Sequence, residues 1–511
     1  MTESASAPRD EFSLDRLLAV VRQHWGFASL RPLQEAAMRA VLDGRDSLLV
    51  LPTGGGKSLC YQAPAVLRGD TTVVISPLIA LMKDQVDGLI ACGVPAAQLN
   101  SSQSPDEQRD VERQLREGRV RLLFASPERM ATPAFRQLLR ELDVRRFAID
   151  EAHCISHWGH DFRPEYRQLR QIRELFPQAS IHGFTATATA RVRLDIVEQL
   201  GLRDVEILVG NFDRPNLTYR VTARHDSLRQ VREVLERHKG EAGIVYCLRR
   251  KDVDSLALAL KQEGINARPY HAGMSPAERK AAQEAFAGEE CDVIVATVAF
   301  GMGIDRSNIR FVLHAGMPKS IEHYQQETGR AGRDGLEAEC VLLFSPADIM
   351  FWRWMLDKSI EEGTAPADSE YRDNFLRHIN DMDRYCSPIQ CRHRTLVEYF
   401  GQSYEATTCQ ACDICLGDLA AVEDSQTVAK KILSCVKRVD ERFGAGYVAS
   451  VLHGDNSELI RQRGHDKLST YGLLKEHSVR DIRDWVHQLI AQHVVEQTDS
   501  EYPVLRLNAA S

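Results

Sequence analysis

From about residue 45 to residue 345, short apolar β-rich runs alternate with helical stretches. That alternation confines the chain to parallel α/β sheets, because a parallel strand pair needs a crossover long enough to hold a helix. The first set of runs is DSLLVLP, TTVVISP, RLLFASP, RRFAIDE and ASIHGFTAT; the second is AGIVYC, ARPYHAG, CDVIVAT, IRFVLHAG and ECVLLF. Turn-rich NFDRPN, Asn211 to Asn216, lies between them, so the pattern predicts two α/β lobes in tandem. After Phe344 the pattern turns helical over 346–400, broken by a polar loop at 361–370. Helical patterns at 425–442, 445–453 and 478–492 precede VVEQTDSEYPVLRL, which reads as two short strands about a Thr-Asp-Ser turn. Three helices and a hairpin predict a winged-helix module.

A chain of 511 residues has room for three or four domains of about 150 residues. Its 43% hydrophobic and 27% charged residues are ordinary for a globular protein. No apolar stretch approaches the roughly 18 residues of a membrane span. MTESASAPRDEF is polar and acidic, without the apolar core of a signal peptide, so an intracellular protein is expected. In a reducing compartment the 12 cysteines are not a disulfide framework, and Cys247, Cys291 and Cys340 read as buried thiols. With 64 Lys+Arg against 72 Asp+Glu, the net charge of −8 offers no bulk attraction to nucleic acid, so any such partner must sit in a local groove.

LPTGGGKS follows the strand DSLLV and precedes a helix starting near Leu59. Thr53 and the three glycines, Gly54, Gly55 and Gly56, let backbone N–H groups close around phosphates. Lys57 reaches the outer phosphates and Ser58 can ligate Mg²⁺. The strict phosphate-loop pattern has glycine where this chain has Leu51, but the strand–loop–helix context holds. Asp150-Glu151-Ala152-His153 ends the apolar strand RRFAI. There Asp150 can hold Mg²⁺ through water, and Glu151 can orient the water that attacks the γ-phosphate of ATP. Together the two motifs predict a nucleoside triphosphatase.

The second lobe has no phosphate loop but carries QQETGRAGRDG over 325–335. Arg330 and Arg333 are three apart and on a helix would share a face, from which both could act as arginine fingers in a cleft between the lobes. Cys409, Cys412 and Cys415 have the C-x₂-C-x₂-C spacing that sets three thiolates around one tight turn. Tetrahedral zinc needs a fourth ligand, for which the spacing leaves Cys386, Cys391 and His393 open.

These motifs resemble those of the superfamily 2 helicases and, within them, of the RecQ family. Leu30-Arg31-Pro32-Leu33-Gln34, preceded by Phe27, is similar to the family's adenine-reading motif. By that resemblance Gln34 reads the adenine edge while Phe27 and Arg31 sandwich the base. SPLIALMKDQ (76–85), SPERM (126–130), TATAT (185–189), YHAGM (270–274) and ATVAFGMGID (296–305) are similar to the remaining helicase motifs in the expected order. HCISHWGHDFRPEY (153–166) resembles the RecQ aromatic-rich loop, which couples single-stranded DNA binding to ATP hydrolysis. Physically, Trp158, Phe162 and Arg163 offer stacking and cation–π surfaces for bases. CRHRTLVEYFG resembles the family's CRR…YFG pattern and so makes Cys391 the fourth ligand of a closed, structural zinc site, with Cys386 a spare thiol. HDKLSTYG (465–472) resembles the duplex-binding winged-helix region, where Tyr502 and His493 are the candidates to stack on the end base pair. Many members continue into a further C-terminal helical domain; this sequence ends at Ser511.

The resemblance implies a polar tail over 1–14, RecA-like lobes over 15–207 and 208–345, a helical zinc-binding module over 346–418 and a winged-helix (RQC-type) domain over 419–511. It implies a bacterial ATP-dependent helicase that moves 3′ to 5′ on single-stranded DNA and unwinds duplex or branched DNA in recombination and repair. ATP, Mg²⁺ and structural Zn²⁺ are the implied cofactors. A cytoplasmic, nucleoid-associated monomer is expected, with no membrane association and with single-strand-binding and other repair proteins as partners. Two alternatives stand: an RNA helicase, since DEAH boxes also occur there, and an ATP-gated DNA-binding clamp or regulator that does not unwind.

Overall fold

A computed structural model describes residues 13–301, 306–387, 390–418, 424–492, 494–498 and 504–511. Outside them fall most of the expected N-terminal tail, Met302–Asp305 of ATVAFGMGID, part of the Thr-Asp-Ser turn, and both wing candidates, His493 and Tyr502. The chain divides into two compact units, one of residues 1–382 and 393–407, the other of 383–392 and 408–511.

The first unit contains two parallel sheets. One has seven strands: β1 (Ser47–Val50), β2 (Thr72–Ile75), β3 (Ala96–Leu99), β4 (Leu122–Ala125), β5 (Arg146–Ile149), β6 (Ser180–Thr185) and β7 (Glu206–Val209), in the order β3-β4-β2-β5-β6-β1-β7. The other has six: β8 (Leu217–Ala223), β9 (Ala242–Tyr246), β10 (Ala267–Tyr270), β11 (Val293–Ala296), β12 (Ile309–His314) and β13 (Ala338–Phe344), in the order β10-β11-β9-β12-β13-β8. The five inner strands of the first sheet are buried at every position, which is why apolar residues dominate most of them. Leu49, Val74, Phe124, Ala148 and Phe184 from these strands pack with Met38, Tyr61 and Met82 from the flanking helices. Burial of each large side chain contributes roughly 1.5–3 kcal/mol.

Three strands have no counterpart in the sequence reading: β3, β7 and β8. All three lie at sheet edges. Their burial is partial, and Gln98, Glu206 and Arg220 interrupt the apolar pattern.

The strand order carries a functional consequence. β1 and β5 flank β6, with Val50 level with Thr185 and Ile149 level with Gly183. The segments after β1, β5 and β6 therefore leave the same carboxyl edge, where ligands bind in open parallel sheets.

After β13 come helices Ala347–Glu361, Ser369–Cys386 and Arg392–Tyr399. In the second unit, helices Ser425–Arg438, Ala445–His453, Glu458–Gln462 and Val479–Ala491 lead to β14 (Val495–Gln497) and β15 (Leu505–Leu507), which pair antiparallel. Ile432, Cys435, Val448, Leu452, Ile482, Val486, Val495 and Leu505 form its core. Helix Glu458–Gln462 is additional to the three helical patterns seen in the sequence.

Candidate active site and nucleic-acid loop

The segment Leu51–Ser58 runs from the end of β1 to helix Leu59–Arg68. Gly54 and Gly56 hold φ of +82° and +79°, a left-handed conformation that disfavours any side chain. A Cβ on Gly56 would also strike the Gln34 side-chain amide. Gln34 donates to the Gly56 carbonyl at 3.1 Å, and its own Oε1 accepts from the Arg31 backbone N–H at 2.8 Å. Arg31 donates from its guanidinium to the Gly54 carbonyl. Gln34 and Arg31 thus sit on the glycine loop, while Phe27 is 51% exposed.

Lys57 donates to the Leu51 carbonyl at 2.9 Å. Burial pulls its ammonium below the ordinary lysine value, while the Glu151 and Asp150 carboxylates oppose that shift. Asp150 follows directly on β5, with its backbone carbonyl accepting from the Tyr166 hydroxyl at 3.0 Å. Burial, then the neighbouring Glu151 charge, pushes the Asp150 carboxyl up to about 7. Glu151 takes a left-handed φ of +45°, costly for a residue with a side chain. Burial would raise its carboxyl, but the His153 hydrogen bond and charge outweigh it and hold Glu151 below the ordinary glutamate value. His153 lies 3.3 Å from that carboxylate and 2.8 Å from the Thr185 hydroxyl, at the end of β6.

The second sheet brings its own segment to this loop. A Cβ on Gly54 would lie 3.4 Å from Arg333 Cγ, and one on Gly329 would lie 3.1 Å from Thr53 Cβ. Gln326 donates to the Thr187 hydroxyl at 3.1 Å. The expectation that Arg330 and Arg333 share a helical face is corrected, because the helix Ile321–Thr328 ends before either. Arg333 lies over the glycine loop, whereas Arg330 is buried and donates to the Gly301 carbonyl within its own lobe.

The loop after the acid pair begins with a short 3₁₀ turn, Ala152–Ile155. Trp158 has the Arg191 guanidinium 3.0 Å above its ring centroid and that of Arg377 at 5.4 Å. Arg191 is placed by helix Ala190–Leu200, whose capping Thr189 hydroxyl accepts from the Val192 N–H. Phe162 stacks on His157 at 3.9 Å between centroids. Arg163 is paired with Asp161 at 3.2 Å and donates to the Pro77 carbonyl. Buried Asn374 donates to the His157 carbonyl at 2.7 Å. Arg191, Asn374 and Arg377 were not singled out in the sequence; they lie in regular helices, where nothing local marks them.

In the second unit, Cys391, Cys409, Cys412 and Cys415 have sulfur atoms all within 4.8 Å of one another. Four thiols at that spacing fit tetrahedral zinc, for which Zn–S of about 2.3 Å puts sulfurs roughly 3.8 Å apart. Cys386 is buried outside this group. His393, the weaker candidate ligand, is bonded instead to Asp213 at 2.7 Å and to the Leu217 carbonyl at 3.0 Å. Beneath the cysteines, fully buried Arg392 meets Asp413 with two hydrogen bonds of 2.9 and 3.0 Å.

Residues 31–196 match the DEAD/DEAH box helicase family and 226–335 the helicase conserved C-terminal domain. Residues 346–416 match the RecQ zinc-binding family and 420–511 the RQC domain. A protein of Bacillus subtilis (strain 168) named ATP-dependent DNA helicase RecQ is 43% identical over 494 residues, 96% of this chain and 82% of its own length. The protein of the same name from Haemophilus influenzae is also 43% identical, over 97% of this chain and 78% of its own length. The chain belongs to the RecQ family.

Solved helicases share its fold. The Mycobacterium smegmatis helicase Lhr, bound to ssDNA and AMP-PNP, aligns with a TM-score of 0.52 at 20% identity, over 72% of this chain and 57% of its own. Saccharomyces cerevisiae Dbp5, bound to RNA and ADP BeF3, aligns at 0.54 and 16%, over 73% and 92%. ATP and zinc are accordingly the cofactors of this RecQ-family chain. No described helix is long and apolar enough to cross a membrane.

Proposed function

We propose that this RecQ-family chain is an ATP-dependent DNA helicase that moves 3′ to 5′ on single-stranded DNA and opens duplex or branched DNA in recombination and repair. The observation that carries this reading is the meeting at one cleft of Lys57, Asp150 and Glu151 from the first lobe with Arg333 from the second.

In this reading Phe27, Arg31 and Gln34 take the adenine, the Thr53–Ser58 segment takes the phosphates, and Lys57 neutralises the outer ones. Mg²⁺ held by Ser58 and Asp150 would supply further charge neutralisation. Glu151, kept ionised by His153, orients the water and accepts its proton as the γ-phosphoryl group leaves the β-phosphate oxygen. Arg333 steadies the charge that develops on the transferring group. Arg330 acts indirectly, by bracing the turn at Gly301. Trp158, Phe162 and Arg163 bind bases, and their loop follows directly on the acid pair. Cys391, Cys409, Cys412 and Cys415 hold a structural zinc ion. The helicase works as a monomer on DNA in a bacterial cytoplasm, at the nucleoid, beside single-strand-binding and other repair proteins.

The test is ATP-driven opening of one duplex carrying either a 3′ or a 5′ single-stranded tail, with hydrolysis followed in the same tube. Opening confined to the 3′-tailed duplex, and absent in Lys57→Ala, is expected. DNA-stimulated hydrolysis that opens neither duplex would overturn it in favour of a clamp or regulator. Stronger stimulation by RNA would revive the RNA helicase, which the DNA-helicase names of the relatives do not favour.

A further inference from the structure

Beside the acid pair lies a set of donors that the proposed chemistry uses only through His153 Nδ1, leaving His153 Nε2, Cys154 and Asp161 without a role. Cys154 Sγ lies 3.7 Å from His153 Nε2 and 3.9 Å from Asp161 Oδ2, and the three donor atoms all fall within 4.8 Å of one another. A tetrahedral ion with bonds of about 2.3 Å to sulfur and 2.0–2.2 Å to nitrogen and oxygen sets such donors about 3.5–3.6 Å apart. The two separations from sulfur exceed that by a few tenths of an ångström.

The surroundings favour a metal. The other imidazole nitrogen, His153 Nδ1, is engaged by the Thr185 hydroxyl at 2.8 Å and faces the Glu151 carboxylate at 3.3 Å. This outer-shell arrangement leaves Nε2 as the outward donor and orients metal-binding histidines in general. His153 and Cys154 are buried, while the Asp161 side chain is 40% exposed and opens a path to solvent. One thiolate and one carboxylate balance the charge of a divalent ion, so the filled site is neutral where an isolated charge would be costly.

We propose that His153, Cys154 and Asp161 form a second metal site that takes a borderline divalent ion such as Zn²⁺ or Co²⁺ rather than Mg²⁺. Thiolate and imidazole select such ions, whereas Mg²⁺ requires oxygen donors. On binding, the Cys154 thiol and the His153 Nε2–H each release a proton to solvent as the sulfur–metal and nitrogen–metal bonds form, Asp161 turns from Arg163 to the ion, and water fills the fourth position. No electron changes hands. The ion joins the start of the aromatic loop, at His153 and Cys154, to its far arm at Asp161, and so holds the loop in the conformation seen here. A ligand that stabilises one loop conformation opposes any other ligand that requires a different one. The ion therefore inhibits DNA-stimulated hydrolysis. That inhibition rests on the DNA-sensing role of the loop; the binding itself does not.

The test is titration of the zinc-loaded full chain with CoCl₂ in the absence of nucleotide, followed by visible absorption and bound-metal analysis. One additional cobalt equivalent with tetrahedral, thiolate-containing bands is expected in the wild type and absent in Cys154→Ala. Asp161→Asn is expected to bind it at least about tenfold more weakly. Equal stoichiometry and spectra in the wild type and Cys154→Ala overturn the site, as does unchanged affinity in Asp161→Asn. With Mg²⁺ in excess, micromolar ZnCl₂ should inhibit DNA-stimulated hydrolysis in the wild type and not in Cys154→Ala. Cobalt binding without such inhibition would leave the site standing and overturn the ion's inhibitory effect.

Discussion

Gln326 of the second lobe donates its side-chain amide to the Thr187 hydroxyl of the first, at 3.1 Å. Thr187 is bonded in turn to Thr185, and the Thr185 hydroxyl is bonded to His153, the partner of Glu151. Lobe closure and the position of the attacking water thereby share one line of hydrogen bonds. Gln326→Ala should lower kcat for DNA-stimulated ATP hydrolysis about 10- to 100-fold, with KM for ATP within about twofold, because misplacing a catalytic group costs rate more than binding. Steady-state kinetics at saturating DNA checks this; a rise in KM alone would assign Gln326 to nucleotide binding.

Trp158 lies against Arg191 and Arg377, so a base that stacks on its indole must displace a guanidinium or take what face remains. Trp158→Ala should abolish DNA stimulation of hydrolysis while leaving ATP affinity within about twofold. Base–aromatic stacking of about 1–3 kcal/mol is the interaction removed. Hydrolysis as a function of single-stranded DNA concentration, with nucleotide binding in parallel, reads both effects. Unchanged stimulation would remove this residue from the coupling.

Arg392 and Asp413 are a fully buried ion pair beside the zinc cysteines. Removing one partner leaves the other charged and dry, which costs about 3–5 kcal/mol. Asp413→Ala should therefore destabilise the second unit by that order and release zinc at lower denaturant. Urea unfolding followed together with zinc release measures it. A loss below about 1 kcal/mol would mean that Arg392 has found solvent.

His238 lies 2.9 Å from Glu339 on β13 and 2.7 Å from Glu241. Burial pulls its imidazole down, but hydrogen bonds and charge from Glu339 and Glu241 raise it above the ordinary histidine value. The folded lobe then holds the proton more tightly than the unfolded chain. Its contribution is complete below the unfolded value of about 6.5 and is lost as pH rises through the folded value. The melting-temperature gap between wild type and His238→Gln should be widest near pH 6 and narrow toward alkaline pH. A gap that widens with pH would contradict the assignment.

Much of this architecture was legible from local pattern. The nine inner strands were readable because a strand covered on both faces needs apolar residues at nearly every position. The edge strands β3, β7 and β8 were not, because exposure on one side admits Gln98, Glu206 and Arg220. The phosphate loop, the acid pair and the four cysteines were legible because phosphate cradling, water activation and tetrahedral thiolate binding each demand particular residues at short, fixed spacing.

By itself, then, the sequence determined the order of elements, the residue types at the nucleotide and zinc sites, and the membership of the family. Tertiary structure alone decided which of those residues meet. Arg330 and Arg333 look equivalent in QETGRAGR, yet the helix ends at Thr328 and the turn sends Arg330 to Gly301 and Arg333 over Gly54. Asn374 and Arg377 reach a loop more than two hundred residues away. Such contacts are set by the packing of elements distant in the chain, and no periodicity or local spacing encodes them.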